Sequence, residues 1–220
     1  STGAAALLVN GVTFHSFFGI GIMKGGFEET LKTAINNPKL IDRILNTKEV
    51  IVDEISMISA TVLQAANLIC QIIRDDKRFF GGIRMIFVGD FFQLGPFGDT
   101  KDVDWAFDFD DWKQANVRKI ELRQIMRTDD KEFLAVLARV RYGVVDNLVV
   151  NFLNRHRGGG GVSDFDGTIL LSRNDDVDKL NKKKLDEIFE ELVSIKTEYT
   201  GDESHEKRMK ATLVIPAVID

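Results

Sequence analysis

An α/β fold built on a parallel sheet is predicted for this chain, and two observations predict it. Short β-branched runs alternate with longer stretches of helical periodicity, and two of those runs are apolar on both faces, as strands covered by helices are. These runs, Val50-Ile51-Val52 and Ile86-Phe87-Val88, also end in polar chemistry: Asp53-Glu54 after the first, Gly89-Asp90-Phe91-Phe92-Gln93 after the second. Open α/β sheets bind ligands just beyond the carboxyl ends of their strands. Both strand ends are therefore where a site is expected.

Strands are expected at 49–53, 84–88, 117–121 and 168–172, and helices between them. A helix over 60–74 would carry Val62, Ala66, Ile69, Ile72 and Ile73 on one face. A second, over 130–142, would group Phe133, Val136, Leu137 and Val140, open with Asp129 and Glu132 in capping-box spacing, and close at Gly143. A third, over 176–192, would stripe Val177, Leu180, Leu185, Ile188, Phe189 and Leu192. Each stripe reads most simply as core packing. Residues 98–111, with six aspartates, read as a long acidic connection, and Gly158 to Gly161 as a flexible break. A domain boundary is expected near residue 122, giving 1–121 and 122–220.

Composition narrows the class. A chain of 220 residues with 44% hydrophobic content can bury a substantial core. Its net charge of -5 gives no global sign of a nucleic-acid binder, so any DNA contact must rely on a local groove. No apolar stretch reaches the roughly 18 residues needed to span a bilayer. The single Cys70 has no internal disulfide partner, which fits a reducing intracellular compartment and a buried structural thiol. His15, His156 and His205 show no metal-ligand spacing.

The strand ends suit nucleotide chemistry. A carboxylate in the position of Asp53 can hold Mg²⁺, and the next acid, Glu54, can accept a proton from the water that attacks a γ-phosphate. Gln93 is a neutral amide able to hydrogen-bond both a phosphate oxygen and that water. Arg127, just before a helix start, has the character of an arginine finger, which contributes about 10³–10⁵ in rate where it acts. The bland alternatives are a solvated acidic turn for Asp53-Glu54 and a surface ion pair of about 0–1 kcal/mol for Arg127.

Taken in order, the motifs Thr2-Gly3-Ala4-Ala5-Ala6 with Gly11-Val12-Thr13-Phe14-His15-Ser16-Phe17, Asp53-Glu54-Ile55-Ser56-Met57, Gly89 to Leu94 and Leu122-Arg123-Gln124-Ile125-Met126-Arg127 resemble those of the PIF-one DNA helicases, superfamily-one enzymes related to RecD. The resemblance extends over most of residues 1–181. It implies an incomplete RecA-like P-loop NTPase sheet followed by part of a second RecA-like domain, with ATP and Mg²⁺ as cofactors. Asp53 and Glu54 match the Walker-B pair, with Asp53 as the metal ligand, Gln93 the γ-phosphate sensor, and Arg127 an arginine supplied by the second domain. Thr2, Gly3, Thr13 and His15 match the segment lining the single-strand track, and Phe97 is placed to stack on a base, worth roughly 1–3 kcal/mol. For His15 a buried shaping role, and for Phe97 packing beneath its loop, are equally open readings.

The implied activity is ATP-dependent unwinding, five-prime to three-prime, by a monomeric motor on single-stranded and forked or structured DNA. Replication, repair, recombination or telomere maintenance is the implied setting, in the nucleus or mitochondrion of a eukaryote or the cytoplasm of a bacterium. The chain departs from the family in several places. It contains no Gly-Lys-Ser/Thr loop, which is expected before Ser1, and the fifth and sixth motifs are expected after Asp220. Leu94-Gly95-Pro96 stands where Leu-Pro-Pro is usual, and Thr128 where Gln is usual. Both ends read as cut, so this stretch is expected to be the central portion of such an enzyme and inactive alone. The competing reading is a helicase-derived scaffold that binds a partner instead of ATP.

Overall fold

The structure is a computed structural model that describes residues 6, 9–96, 103–157 and 167–188. Two compact units, Ser1–Arg155 and His156–Asp220, make up the chain.

In the first unit, among the described residues, the helices α1 (Phe14–Phe17), α2 (Gly26–Ile35) and α3 (Pro38–Asn46) precede the sheet. The last is set by its sequence. Asn37 caps it by accepting from the Lys39 and Leu40 N–H groups, and Pro38 occupies the first turn, where a missing N–H costs nothing. Strand β1 (Glu49–Val52) then pairs in parallel with β2 (Arg84–Phe87), in a register running from Glu49 opposite Arg84 to Val52 opposite Phe87. Helix α4 (Ala60–Arg74) makes the crossover that a parallel pair requires.

The bounds of α4 match the expected 60–74. Ser59 accepts from the Val62 N–H at its start, and Asp75 ends it in a left-handed conformation at φ 49°. The buried face is rotated from the expected one: Leu63, Ala66, Ile69 and Cys70 are enclosed, whereas Ile72 is exposed. Phe14, Phe18, Ile44, Val52, Ile58 and Phe80 complete this core. Arg74 binds its edge together, donating from Nε to the Gly81 carbonyl at 2.6 Å and from a terminal nitrogen to the Ile44 and Thr47 carbonyls at 2.9 and 3.0 Å.

Beyond the sheet, the acidic stretch is more ordered than its composition suggests. It makes a 3₁₀ turn at Ala106–Asp108 and runs into α5 (Asp110–Gln114), with Ala106 and Phe109 buried. Helices α6 (Lys131–Arg141) and α7 (Asn147–Arg155) then form a hairpin around Val136, Val149 and Phe152. The cap of α6 is Asp130, which accepts from the Phe133 N–H at 3.0 Å, one residue later than the expected Asp129. The second unit contributes α8 (Asn174–Asp186), in which the expected stripe residues Val177, Leu180 and Leu185 are only partly buried and none is fully enclosed; Ile188 is exposed, and Phe189 and Leu192 lie outside the described residues.

The two remaining expected strands do not form. Residues 117–121 and 168–172 are irregular, and Ile120, Leu170 and Leu171 are exposed, Ile120 by 74%, while Val117 and Ile169 are only partly covered. Among the described residues neither run has a ladder partner, and an apolar run without one has little to hold it extended. The sheet among the described residues is therefore two-stranded, and Ile51 in β1 is 65% exposed rather than covered on both faces.

Candidate nucleotide and nucleic-acid site

The parallel register carries both motif-bearing ends to the same edge. After β1, the Asp53 carboxylate accepts the Glu54 N–H at 3.0 Å. Glu54 then takes a left-handed conformation, φ 54° and ψ 52°, a state that costs a non-glycine residue about 1–3 kcal/mol and gathers at functional sites. Its neighbours hold it there: the Ile55 N–H donates to the Val88 carbonyl at 3.0 Å, and the Val88 N–H to the Val52 carbonyl at 2.8 Å. The two ends touch at Gly89, where a Cβ would lie 2.9 Å from the Ile55 nitrogen.

After β2 the chain turns on Asp90. Its carboxylate accepts from the Phe92 N–H at 3.0 Å and the Gln93 side-chain amide at 3.4 Å, while its carbonyl accepts the Gln93 N–H at 2.9 Å. Arg141, the last residue of α6, ion-pairs with the same carboxylate and lies over the Phe92 ring at 4.6 Å. Burial alone would raise the Asp90 pKa. The Arg141 guanidinium and the Phe92 and Gln93 donors outweigh it and hold the carboxyl below its ordinary value.

Phe91 points the opposite way from Phe92, its ring 5.0 Å from Phe107 and 6.1 Å from Trp105. Trp105 also explains the glycine where the family usually has proline, because a Cβ on Gly95 would come within 2.9 Å of its indole. The strap carrying Trp105 closes on α4, where Asp104 accepts the Thr61 N–H at 3.0 Å. The acidic stretch thus ties the helix after Asp53-Glu54 to the loop holding Gln93. Nothing in its composition signals that role.

Thr13 caps α1, its hydroxyl accepting the Ser16 N–H at 3.3 Å. His15 is half-buried beside the Phe14 ring, and that burial lowers its pKa. Arg43, not singled out by sequence, fixes this segment by donating to the Ser16 and Phe17 carbonyls at 3.1 and 2.9 Å. A cavity of about 380 Å³, lined by Val9 to Val12 and by β1 through Asp53, separates this segment from the strand. Arg127 is exposed on the irregular stretch before α6. Thr2, Gly3 and Phe97 lie outside the described residues. Cys70 is fully buried, and burial pushes its thiol up to about 12.

A parallel sheet with an acidic pair at one strand end and the Gly89–Gln93 turn at the next has the layout of the RecA-like α/β class. Comparison with known proteins narrows this. The PIF1-like helicase family model matches residues 1–148, and the chain belongs to that family. It is 42% identical over 214 residues to the ATP-dependent DNA helicase Pif1 of Bdellovibrio bacteriovorus, covering 96% of this chain and 48% of that protein. Against the PIF1 helicase of Candida albicans it is 31% identical over 234 residues, spanning 100% of this chain and 26% of the relative. The crystal structure of the Candida albicans Pif1 helicase superposes with a TM-score of 0.81 at 32% identity, covering 99% of this chain and 50% of that one. A Bacteroides Pif1 helicase in complex with ADP-AlF3 and single-stranded DNA superposes at 0.69 with 26% identity, over 84% and 46% of the two chains. This chain spans half or less of the length of these relatives.

Proposed function

We propose that this chain supplies the metal-binding, water-activating and sensing residues of an ATP-dependent DNA helicase that tracks single strands and opens forked or structured DNA. The observation that carries the proposal is the shared edge of β1 and β2, where the chain at Glu54-Ile55, just after Asp53, lies against Val88-Gly89 at the start of the turn to Gln93.

The residues fit Mg²⁺ as it is held with nucleotides. Among the described residues no cluster of acids, histidines or cysteines could cage a metal unaided. Mg²⁺ at phosphate sites takes only one or two carboxylates and fills its shell with phosphate and water. When bound, the ion supplies charge neutralisation to the phosphates. Asp53 would hold it, with its carboxylate already oriented by the Glu54 N–H. Glu54, carried away from the strand axis by its left-handed backbone, would take the proton of the attacking water. Gln93 would hydrogen-bond the γ-phosphate and Arg127 would neutralise its developing charge, the latter from a second lobe beginning near residue 122. Thr2, Gly3, Thr13 and His15 would line the DNA strand and Phe97 would stack on a base.

The test uses the complete gene product. ATP turnover is measured with and without single-stranded DNA, for wild type and Glu54→Gln. Stimulation by DNA and a turnover loss of roughly 10²-fold or more in the variant are expected. A wild type indifferent to DNA, or a variant with unchanged turnover, overturns the proposal.

A further inference from the structure

We infer that Arg141 is a positioning residue for the loop after β2: it grips Asp90 and Phe92, and through Asp90 it sets the orientation of the Gln93 amide. The inference rests on the sensing role proposed for Gln93.

Arg141 stands on a platform built independently of the sheet. The α6–α7 hairpin has its own apolar centre of Val136, Val149 and Phe152. It is braced by Arg139 on Asp146 at 2.8 Å, while Asp146 also caps α7 by accepting from the Leu148 and Val149 N–H groups. Glu132 and Arg155 form a further ion pair between the two helices. Arg141 and Tyr142 project from this platform onto the loop, Arg141 over the Phe92 ring and Tyr142 against it at 5.6 Å.

An exposed surface ion pair would deserve no such role. This one differs in what else its carboxylate holds. The Asp90 side chain is only 19% exposed, and its oxygens receive the Phe92 N–H and the Gln93 amide besides the guanidinium. Moving Arg141 therefore shifts the charge balance on the acceptor that fixes Gln93. Because α6 follows directly on the segment bearing Arg127, the link joins the position of that segment to the sensor. A planar guanidinium suits both contacts, pairing with the carboxylate edge-on while stacking on the ring.

The experiment measures DNA-stimulated ATP turnover by the complete gene product, with kcat and KM separated and thermal unfolding as the check on folding. Arg141→Ala is expected to lower kcat about 10-fold, the scale of a sub-ångström misplacement, and to leave KM for ATP within about twofold. In a Gln93→Ala background the same substitution should have no further effect, because its path is already cut. Arg141→Lys should recover part of the loss, retaining charge without the stacking plane. If Arg141→Ala fails to fold, Asp90→Asn replaces it, since it keeps an acceptor for the Phe92 N–H while removing the charge partner. Unchanged kcat in an active wild-type background, or losses that multiply with Gln93→Ala, overturns this inference alone. A wild type without DNA-stimulated turnover overturns the proposed function and this inference together.

Discussion

Replacing Gly89 by alanine tests whether the two strand ends form one site. The added Cβ would sit 2.9 Å from the Ile55 nitrogen and 3.0 Å from its Cγ2. Non-bonded heavy atoms settle at about 3.5–4.0 Å, so the ends must part by roughly 0.5–1 Å. The obstructing nitrogen cannot swing aside, because it is backbone and donates to the Val88 carbonyl at 3.0 Å. Overpacking of this kind costs about 1–3 kcal/mol, which lowers the thermal midpoint by about 2–4 °C per kcal/mol for a domain of this size. A displacement of about 1 Å between reacting groups costs on the order of 10²-fold in rate, so Gly89→Ala is expected to lose roughly 10-fold to 100-fold in ATP turnover. Differential scanning fluorimetry and a steady-state ATPase assay on the complete gene product measure both. A variant matching wild type in midpoint and turnover would refute the argument that Asp53-Glu54 and Gln93 are held in register by this contact.

Asn67 is buried and joins three elements, accepting the Phe80 N–H at 2.6 Å and donating to Asp111 at 2.8 Å. Asn67→Ala orphans a buried donor and should cost about 1–3 kcal/mol, read as a fall in the thermal midpoint; no change would show that water satisfies the Phe80 N–H equally well. Hydrogen bonds from Arg78 hold the Asp76 carboxyl at about 2 against an ordinary 3.8. Because the folded value is the lower one, its stabilising contribution is complete above the unfolded pKa and disappears as pH falls from about 3.8 toward about 2. A carboxyl-carbon NMR titration that finds Asp76 near 3.8 contradicts it. Asp90 follows the same sign, so its grip on Arg141 should be lost at a lower pH than an unpaired carboxylate would allow. Cys70, enclosed and with its thiol pushed up to about 12, should resist a thiol reagent at neutral pH until the protein unfolds; prompt labelling of the native protein would contradict its burial.

How much was legible in the sequence depends on how local the determining interactions are. Helix α4 was readable to the residue because Ser59 and its periodic apolar positions act within a few turns. The α6 start was one residue off, since adjacent aspartates at 129 and 130 offer rival caps and backbone geometry chooses between them. The expected strands at 117–121 and 168–172 failed because strand formation needs a partner and a surface, and β-branched composition supplies neither. Arg43, Trp105 and Arg141 escaped notice because their partners, Phe17, Phe91 and Asp90, are remote in sequence.

By itself the sequence determined the class of fold, the family resemblance and which residue types stand at the two strand ends, because those rest on short motifs of adjacent residues. Only tertiary structure decided how the motifs meet. The parallel register lays Glu54-Ile55 against Gly89, a left-handed backbone turns Glu54 out of its strand, and the acidic strap binds α4 to the loop after β2. Arg141 closes on that loop from a separately packed hairpin. These are contacts between surfaces brought together by folding, and their geometry is set by packing that no short window of residues contains.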